Sequence, residues 1–213
     1  MPPLPRIQPV PPQPSAQVAS LPTVFFPSSP GAVFLKYIAR YTLPVASVDT
    51  TIIGDIPLPP QGLHAVIFWL ARDTSASTTN SAGGMQIATQ GGAIDTGLHY
   101  NWGGMFAGIG VAPGNHGTVG DSAWNCFEPA GGGSVNSWNR GVIYLPFYTH
   151  PSKVNGQWDY GVANPSATVR VSDAGEFFGN PGPATKLRFF DRAGGGVNLA
   201  SGTSFELWVA MPS

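Results

Sequence analysis

Charged side chains are scarce in this sequence. Lysine, arginine, aspartate and glutamate together make up 10% of the 213 residues, against about 25% in an ordinary soluble protein. The formal net charge is −1, so no overall field attracts the chain to nucleic acid or to an anionic membrane. With so few charges, the surface is either rich in Ser, Thr, Asn and Gly or covered by other protein chains, and we favour the second alternative.

Long hydrophobic runs and cysteine pairs are missing as well. The longest apolar run, residues 65–71, has the length of a strand, whereas a membrane helix needs about 18 apolar residues. The single cysteine, Cys126, excludes an internal disulfide bond and is expected to be a small core residue. The first residues contain no apolar segment typical of a signal peptide, and no acceptor sequence for N-glycosylation occurs. These absences argue against a membrane-spanning protein and against a glycosylated extracellular domain.

Proline dominates residues 1–30, which contain ten of the 22 prolines. Such a segment cannot form a helix or a central strand, and it is predicted to be an extended arm that prefers polyproline II. At about 3.1 Å per residue the arm reaches roughly 60 to 90 Å, far enough to cross onto a neighbouring subunit. Its only charged side chain is Arg6, so it is not an arginine-rich RNA-binding arm. The stretch Pro2–Arg6 also resembles a ligand of SH3 or WW domains, an interpretation that we rank below the structural arm.

From Val33 onward, apolar and polar residues alternate with the period of two that is typical of half-buried β-strands. We predict a second unit, residues 31–213, that is all-β and folds as an antiparallel β-sandwich of about eight to ten strands with almost no helix. Long connections favour a jelly roll over an up-and-down barrel. The predicted strands are 33–43, 48–53, 64–72, 85–89, 98–109, 123–128, 140–149, 167–172, 186–191 and 203–211, and the main predicted loops are 73–84, 112–120 and 150–164.

Three of these strands carry specific expectations. In the first strand, alternate residues from Val33 to Leu43 are predicted to share the core face. Strand 64–72 is apolar on both faces, which predicts a central strand. The stretch Arg140–Ser152 is β-branched and aromatic but contains Pro146, which cannot donate a ladder hydrogen bond. We expect that strand to leave the core at Pro146 and to continue into an exposed loop.

Two short motifs resemble parts of proteases. Residues 120–123, Gly-Asp-Ser-Ala, are similar to the nucleophile segment of trypsin-like enzymes, so Ser122 is a candidate nucleophile. That chemistry also needs a histidine base oriented by an acid, and none of the four histidines lies in the sequence context of the protease histidine. Residues 95–97, Asp-Thr-Gly, are similar to the motif of aspartic proteases, which need two copies, and no second copy occurs. A turn explains both motifs better.

Other ligand classes are no better supported. The glycine-rich residues 108–114 lack the third glycine and the βαβ unit of a dinucleotide-binding fingerprint. The histidines (64, 99, 116 and 150) are far apart, and no Cys-x-x-Cys occurs, so a metal site is not expected. Trp102, Trp124, Trp138 and Trp158 could stack on sugars, but aromatics of this size are more often core or interface anchors. We therefore predict no catalytic, cofactor-binding or metal-binding residue and no enzyme activity.

As a whole, the chain resembles the jelly-roll capsid proteins of picorna-like positive-strand RNA viruses. The resemblance rests on residues 145–148, Leu-Pro-Phe-Tyr, which follow a core strand, and on the proline-rich arm without a basic cluster. It rests further on the β-pattern that ends in the aromatic strand 204–209, and on the low charge with many Gly, Ser, Thr and Asn loops. Only residues 145–148 match as a motif. No site residue can be carried over, because capsid function is distributed over surfaces.

The resemblance implies a structural capsid subunit that tiles an icosahedral shell around a viral RNA genome. Its partners would be other copies and related jelly-roll subunits, with weak, non-specific contact to packaged RNA and a host receptor bound through loops 73–84, 112–121 and 150–164. Its location would be the virion, after assembly in the host cytoplasm. The arm would run beneath or between neighbouring subunits and lock them.

Three other interpretations stay open. The first is a secreted or displayed carbohydrate- or receptor-binding β-sandwich, lectin-like or similar to C1q and tumour necrosis factor. The second is a hydrolase that uses Ser122. The third is another β protein, such as a part of a phage tail or fibre. The oligomeric state separates the capsid subunit from these alternatives best.

Overall fold

Nearly all of the described chain is β-structure. The structure is a computed structural model, and it describes residues 33–77, 81–90, 92–109, 111–133, 137–151, 153–164, 167–192 and 197–212. The predicted arm, residues 1–30, lies outside the described residues. Within the described ranges, no helix is both long and apolar enough to cross a membrane.

The described residues form twelve strands and one 3₁₀ turn, Thr50–Ile53, which begins after the capping residue Asp49. In chain order the strands are β1 Val33–Thr42, β2 Ile56–Pro57, β3 His64–Ala71, β4 Gly83–Thr89, β5 Tyr100–Ile109, β6 Val111–Asp121, β7 Trp124–Phe127, β8 Asn139–Leu145, β9 Val154–Asn164, β10 Ala167–Phe177, β11 Ala184–Asp191 and β12 Ser204–Pro212.

These strands make two antiparallel sheets that pack as a β-sandwich. The large sheet has eight strands in the order β1-β12-β3-β8-β9-β10-β5-β6, and the small sheet has four in the order β2-β11-β4-β7. The predicted antiparallel β-sandwich is therefore confirmed. Strand β3 lies between β12 and β8, as its two apolar faces predicted.

Aromatic rings fill the space between the sheets. Phe189 on β11 stacks on Phe205 on β12, with ring centroids 4.1 Å apart. Phe127 on β7 meets both rings edge-on, and it also contacts Trp69 on β3. Burial of aromatic surface on this scale is the main stabilising contribution that such a domain can make. Cys126 is fully buried beside them, and burial raises the pKa of its thiol, which confirms it as a core residue.

Two hairpins extend the large sheet beyond the sandwich. The hairpin β5–β6 lies between β4 and β7 in sequence, and the hairpin β9–β10 lies between β8 and β11. Strand β10 pairs with β5, so the two hairpins join into one four-stranded extension. The extension curls towards the edge of the small sheet, where Trp124 on β7 packs against Trp158 on β9 with ring centroids 5.6 Å apart.

Several local predictions were wrong, and the extension explains most of them. Residues 112–120 and 150–164 were predicted as loops, but β6 and β9 occupy them, and the count of described strands exceeds ten. Glycine-rich and polar stretches have low β-propensity, but pairing with a neighbouring strand overrides it. Residues 48–53 were predicted as a strand, but four of them form the 3₁₀ turn, in which the Asp49 side chain accepts a hydrogen bond from the Thr51 backbone N–H.

The first strand follows its predicted alternation only in part. The register between β1 and β12 shifts between Tyr37 and Ala39, so Ile38 is an extra residue of a β-bulge. Tyr37 consequently faces solvent, while Tyr41 pairs with the buried Phe205. The prediction that alternate residues from Val33 to Leu43 share one face was wrong for this reason.

Pro146 ends strand β8 as predicted. The strand stops at Leu145, Phe147 takes a positive φ of 47°, and the chain turns so that Tyr148 is fully buried. The Tyr148 hydroxyl donates to the Pro59 carbonyl oxygen at 2.6 Å. Burial raises the pKa of Tyr148 to about 12, which keeps the hydroxyl protonated as a donor. The predicted exposed loop after the proline is confirmed at Phe147 but wrong at Tyr148, because the hydroxyl of that ring has a buried acceptor and the ring anchors the segment in the core.

Candidate functional site

Ser122 is not part of a nucleophile–base pair in the described residues. Its hydroxyl lies 3.5 Å from Asp121 Oδ1. The Asp121 carboxylate is held by both terminal nitrogens of Arg192 and by Trp102 Nε1 at 2.9 Å. Burial works to raise the pKa of Asp121, but the hydrogen bonds from Arg192 and Trp102 outweigh it, and the pKa lies below its ordinary value. The motif is a structural ion pair at the end of β6.

The other motifs also take part in local structure. Asp95 accepts from the backbone N–H of Gly97 at 2.8 Å and contacts His99 Nδ1 at 3.0 Å, which is the geometry of an Asx turn. Residues 108 and 109 end β5 and residues 111–114 begin β6. Across the described ranges, no group of three or more His, Cys, Asp or Glu side chains is arranged to hold a metal ion.

The most unusual surface is the solvent side of the large sheet, which we call the outer face. An antiparallel sheet with one solvated face normally carries polar residues there, but apolar and aromatic residues occupy much of this face. Leu35 is 51% exposed and Phe68 is 48% exposed. The members on the first five strands are Leu35, Tyr37 and Arg40 on β1, Ser204, Glu206, Trp208 and Ala210 on β12, His64, Val66, Phe68 and Leu70 on β3, Arg140, Val142 and Tyr144 on β8, and Gln157 and Asp159 on β9.

Cross-strand rows organise the outer face. One row runs from Arg40 through Glu206, Phe68 and Val142 to Asp159. Arg170 on β10 binds Asp159 with two nitrogens and closes this row at its far end. The ion pair is exposed, so it contributes little to stability. The charged residues lie towards the two ends of the row, and the apolar residues Phe68 and Val142 lie between them.

A groove of about 490 Å³ crosses the outer face. Phe68, Leu70 and Val142 supply its apolar lining, and Arg140 lies at its side. Its floor is open at Gly161, where an added Cβ would have no atom within 4 Å. The groove offers an aromatic platform flanked by charged groups.

This surface was not predicted from the sequence. The signal that could have identified it is strand 64–72, whose second apolar face was attributed to burial in a central strand. Strand β3 is central, but within the described part of the chain its outer face is not covered. Trp102, Trp124 and Trp158 lie on strands rather than in loops, and Trp124 and Trp158 are core residues, as the preferred interpretation predicted.

A buried polar row lies on the inner side of the extension. His116 on β6 is opposite Gly104 on β5, Gly104 is opposite Asp173 on β10, and Asp173 is opposite Trp158 on β9. His116 Nε2 reaches across Gly104 to Asp173 Oδ1 at 2.8 Å, and Trp158 Nε1 donates to Asp173 Oδ2 at 3.1 Å. This arrangement connects the edge strand β6 to the second hairpin and is structural.

Glu128 lies close to this row and is expected to weaken the fold when it is ionised. Burial raises the pKa of Glu128 above its ordinary value, and the Tyr160 hydroxyl, 3.4 Å from Glu128 Oε1, offsets this only in part. Because the pKa in the folded state exceeds the value of about 4.3 in the unfolded chain, ionisation costs stability at neutral pH. The cost disappears as the pH falls below about 4.

We expect Glu128→Gln to stabilise the protein at pH 7, because it removes the buried charge and keeps an acceptor for Tyr160. The gain should shrink as the pH falls towards 4. Urea unfolding at both pH values measures it. An equal change in the free energy of unfolding at the two pH values would contradict this explanation.

The comparisons with known proteins identify no relative. No family model matches the sequence, and neither the curated proteins nor the solved structures contain a match.

Proposed function

We propose that the protein is a structural subunit of a closed shell, a capsid protein, and that it is not an enzyme. The observation that carries this proposal is the apolar outer face, which lies on the surface of a chain with very few charges. A subunit buries such a face against its neighbours, and the centre of a stable interface is apolar and poor in charge. The outer face would then be covered in the assembly.

The strand pairing supports a jelly roll as the specific fold. Without the two inserted hairpins, eight strands remain: β1, β2, β3, β4, β7, β8, β11 and β12. They pair from the outside inward, β1 with β12, β2 with β11, β3 with β8 and β4 with β7. Sheet orders of β1-β12-β3-β8 and β2-β11-β4-β7 follow from that winding. This is the pattern of a double-sheet jelly roll, a fold used by viral capsid proteins and also by lectins.

Contact with packaged RNA would be weak and non-specific. Four of the ten lysine and arginine side chains are held in ion pairs: Arg188 with Asp55, Arg192 with Asp121, Arg170 with Asp159 and Lys153 with Glu176. Salt-dependent binding to nucleic acid needs cations that are free to neutralise phosphates. Two of the three segments predicted to bind a host receptor, 112–121 and 150–164, contain strands β6 and β9 of the extension. A host receptor would therefore contact the extension. The assembled protein would be found in the virion, after assembly in the host cytoplasm with other copies and related subunits.

The outer face provides the test. Phe68→Asp introduces a charge at its centre, and Ile52→Asp introduces the same charge on the 3₁₀ turn, where the native side chain is also 48% exposed. We expect Phe68→Asp to fold but to assemble at least about tenfold less well, which corresponds to roughly 1.4 kcal/mol per contact. The Ile52→Asp control should assemble normally.

Light scattering and negative-stain microscopy measure the assembly, and thermal melting measures the folding. Closed particles from the wild type and from Ile52→Asp, but not from Phe68→Asp, support the proposal. A wild-type protein that stays a monomer or a small trimer under all assembly conditions would contradict it.

The groove favours a second function, a carbohydrate-binding β-sandwich. Phe68 beside Arg140, Glu206 and Asp159 combines an aromatic platform with hydrogen-bonding groups, which suits a sugar ring. Gly161→Leu would place an apolar side chain in the groove, starting from a position where an added Cβ meets no atom within 4 Å. A glycan array that detects binding by the wild type and loss of binding by Gly161→Leu would favour this function over assembly.

A further inference from the structure

Five ring-bearing side chains lie at one end of the outer face in two neighbouring groups, Tyr37 with Trp208, and His64 with Tyr144 and Phe147. We call this cluster the aromatic corner. The ring centroids of Tyr37 and Trp208 are 5.2 Å apart, those of His64 and Tyr144 are 5.8 Å apart, and those of His64 and Phe147 are 4.4 Å apart. Phe147 is 58% exposed and Tyr37 is 38% exposed, so the corner presents these two rings to solvent, while the other three are half-buried.

Strand β1 begins at this end of the sheet. Val33 begins β1 opposite Pro212, and His64 begins β3 opposite Ala210, so both lie at the same end of the large sheet. Tyr37 is four residues beyond Val33, which is about 13 Å along the strand. Val33, the first described residue, therefore lies at the same end of the sheet as the aromatic corner.

The composition of residues 2–14 fits such a surface. Seven of these 13 residues are proline, which favours polyproline II, and polyproline II segments dock into grooves lined with aromatic side chains. Arg6 is the only charged side chain among residues 1–32. At the corner, Trp208 Nε1 donates to Glu206 Oε1 at 2.8 Å, which holds that carboxylate on the outer face. The neighbouring cation, Arg40, donates to Ser204 Oγ at 3.4 Å.

We propose that residues 2–14 of one copy dock as polyproline II on the aromatic corner of a second copy, with Arg6 against Glu206. The proposal rests on the proposed function, because it names the contact by which the arm links subunits. If the arm docked on its own copy, the connecting residues would have to span only the distance of about 13 Å from Val33 to Tyr37. The connecting residues 15–32 have a typical end-to-end length of about 24 Å when flexible and about 56 Å when extended. These lengths bracket the roughly 40 Å between the centres of adjacent domains of this size.

Charge reversal in the full-length protein tests the contact between Arg6 and Glu206. Arg6→Glu and Glu206→Lys should each reduce docking about tenfold, because each removes a charge-assisted hydrogen bond. The double variant Arg6→Glu/Glu206→Lys should recover docking. The matched control, Arg6→Glu/Glu176→Lys, reverses a glutamate on β10 and should not recover it.

Docking is measured by photo-crosslinking. Benzoylphenylalanine replaces Leu4 in full-length protein, nitrogen-14 and nitrogen-15 copies are mixed before assembly, and the crosslinked peptides are identified by mass spectrometry. We expect crosslinks between heavy and light copies that map to peptides containing Tyr37, Phe147 or Trp208. Crosslinks confined to one copy, crosslinks to other surfaces, the absence of crosslinks, or a double variant that fails to recover would each overturn the inference.

The two proposals fail in different ways. Closed particles whose Leu4 crosslinks lie elsewhere would leave the capsid function intact and refute the docking site. Dimers or short chains with inter-copy crosslinks at the aromatic corner, but without closed particles, would support the docking site and refute the shell.

Discussion

A chain that lacks residues 1–30 is expected to fold like the full-length protein and to assemble at least about tenfold less well, because a tethered second contact raises binding by large factors. Folding should persist because the buried core runs from Leu43 to Val209 and is complete within the sandwich. Assembly should fail because the arm supplies a contact that the sandwich alone does not make.

Two measurements and one control make this expectation precise. The melting temperature should change by no more than a few degrees, which corresponds to less than about 1 kcal/mol, while light scattering should detect few particles. A control chain that carries 30 Gly and Ser residues in place of the arm keeps its length but not its polyproline II preference. It should fail like the truncation. Normal particle yield from the truncated chain would remove the arm from the assembly mechanism.

The strands that the sequence predicted best are those in which alternation and burial agree. In β12, Phe205, Leu207 and Val209 are buried, as their alternation predicted, and the strand runs within one residue of the predicted bounds. β3 also ends within one residue of its predicted bound, whereas β8 ends at Leu145, four residues before the predicted residue 149. The all-β class and the two-sheet packing follow from such strands.

The extension could not be predicted, because its strands carry little local signal. β6 contains Gly114, Gly117 and Gly120 and only a few apolar residues, so its composition is that of a loop. Pairing with β5 makes it a strand, and pairing is a long-range property. The bulge at Ile38 was equally hidden, since one extra residue in β1 reverses the face of every residue before it.

Substitutions in the polar row of the extension are expected to lower the free energy of unfolding. Asp173 has a side chain with no exposed surface, and His116 and Trp158 supply its hydrogen bonds. We expect His116→Ala to destabilise the protein by about 1 to 3 kcal/mol, because removal of one partner leaves a buried carboxylate poorly satisfied. Asp173→Asn should cost less, since an amide oxygen still accepts from Trp158.

A double-mutant cycle isolates the contribution of this contact. The cost of His116→Ala/Asp173→Asn should be smaller than the sum of the single costs, since the second substitution removes the charge that the first left unpaired. Urea unfolding followed by tryptophan fluorescence measures all four proteins. If His116→Ala changes the free energy of unfolding by less than about 0.5 kcal/mol, as an ordinary surface substitution does, the row is not structural.

A substitution at Gly104, which lies between His116 and Asp173, is a second test of the structural role of the polar row. A Cβ at this position would lie 2.1 Å from Asp173 Oδ1, whereas a Cβ at Gly161 would meet no atom within 4 Å. Gly104→Ala should therefore destabilise the fold by roughly as much as His116→Ala, and Gly161→Ala should be nearly neutral. Because β6 is the edge of the large sheet, loss of the row should increase hydrogen exchange first in β5 and β6 and leave β3 and β12 protected. Faster exchange in β5 and β6 than in β3 and β12 would distinguish local unfolding of the extension from a general loss of stability.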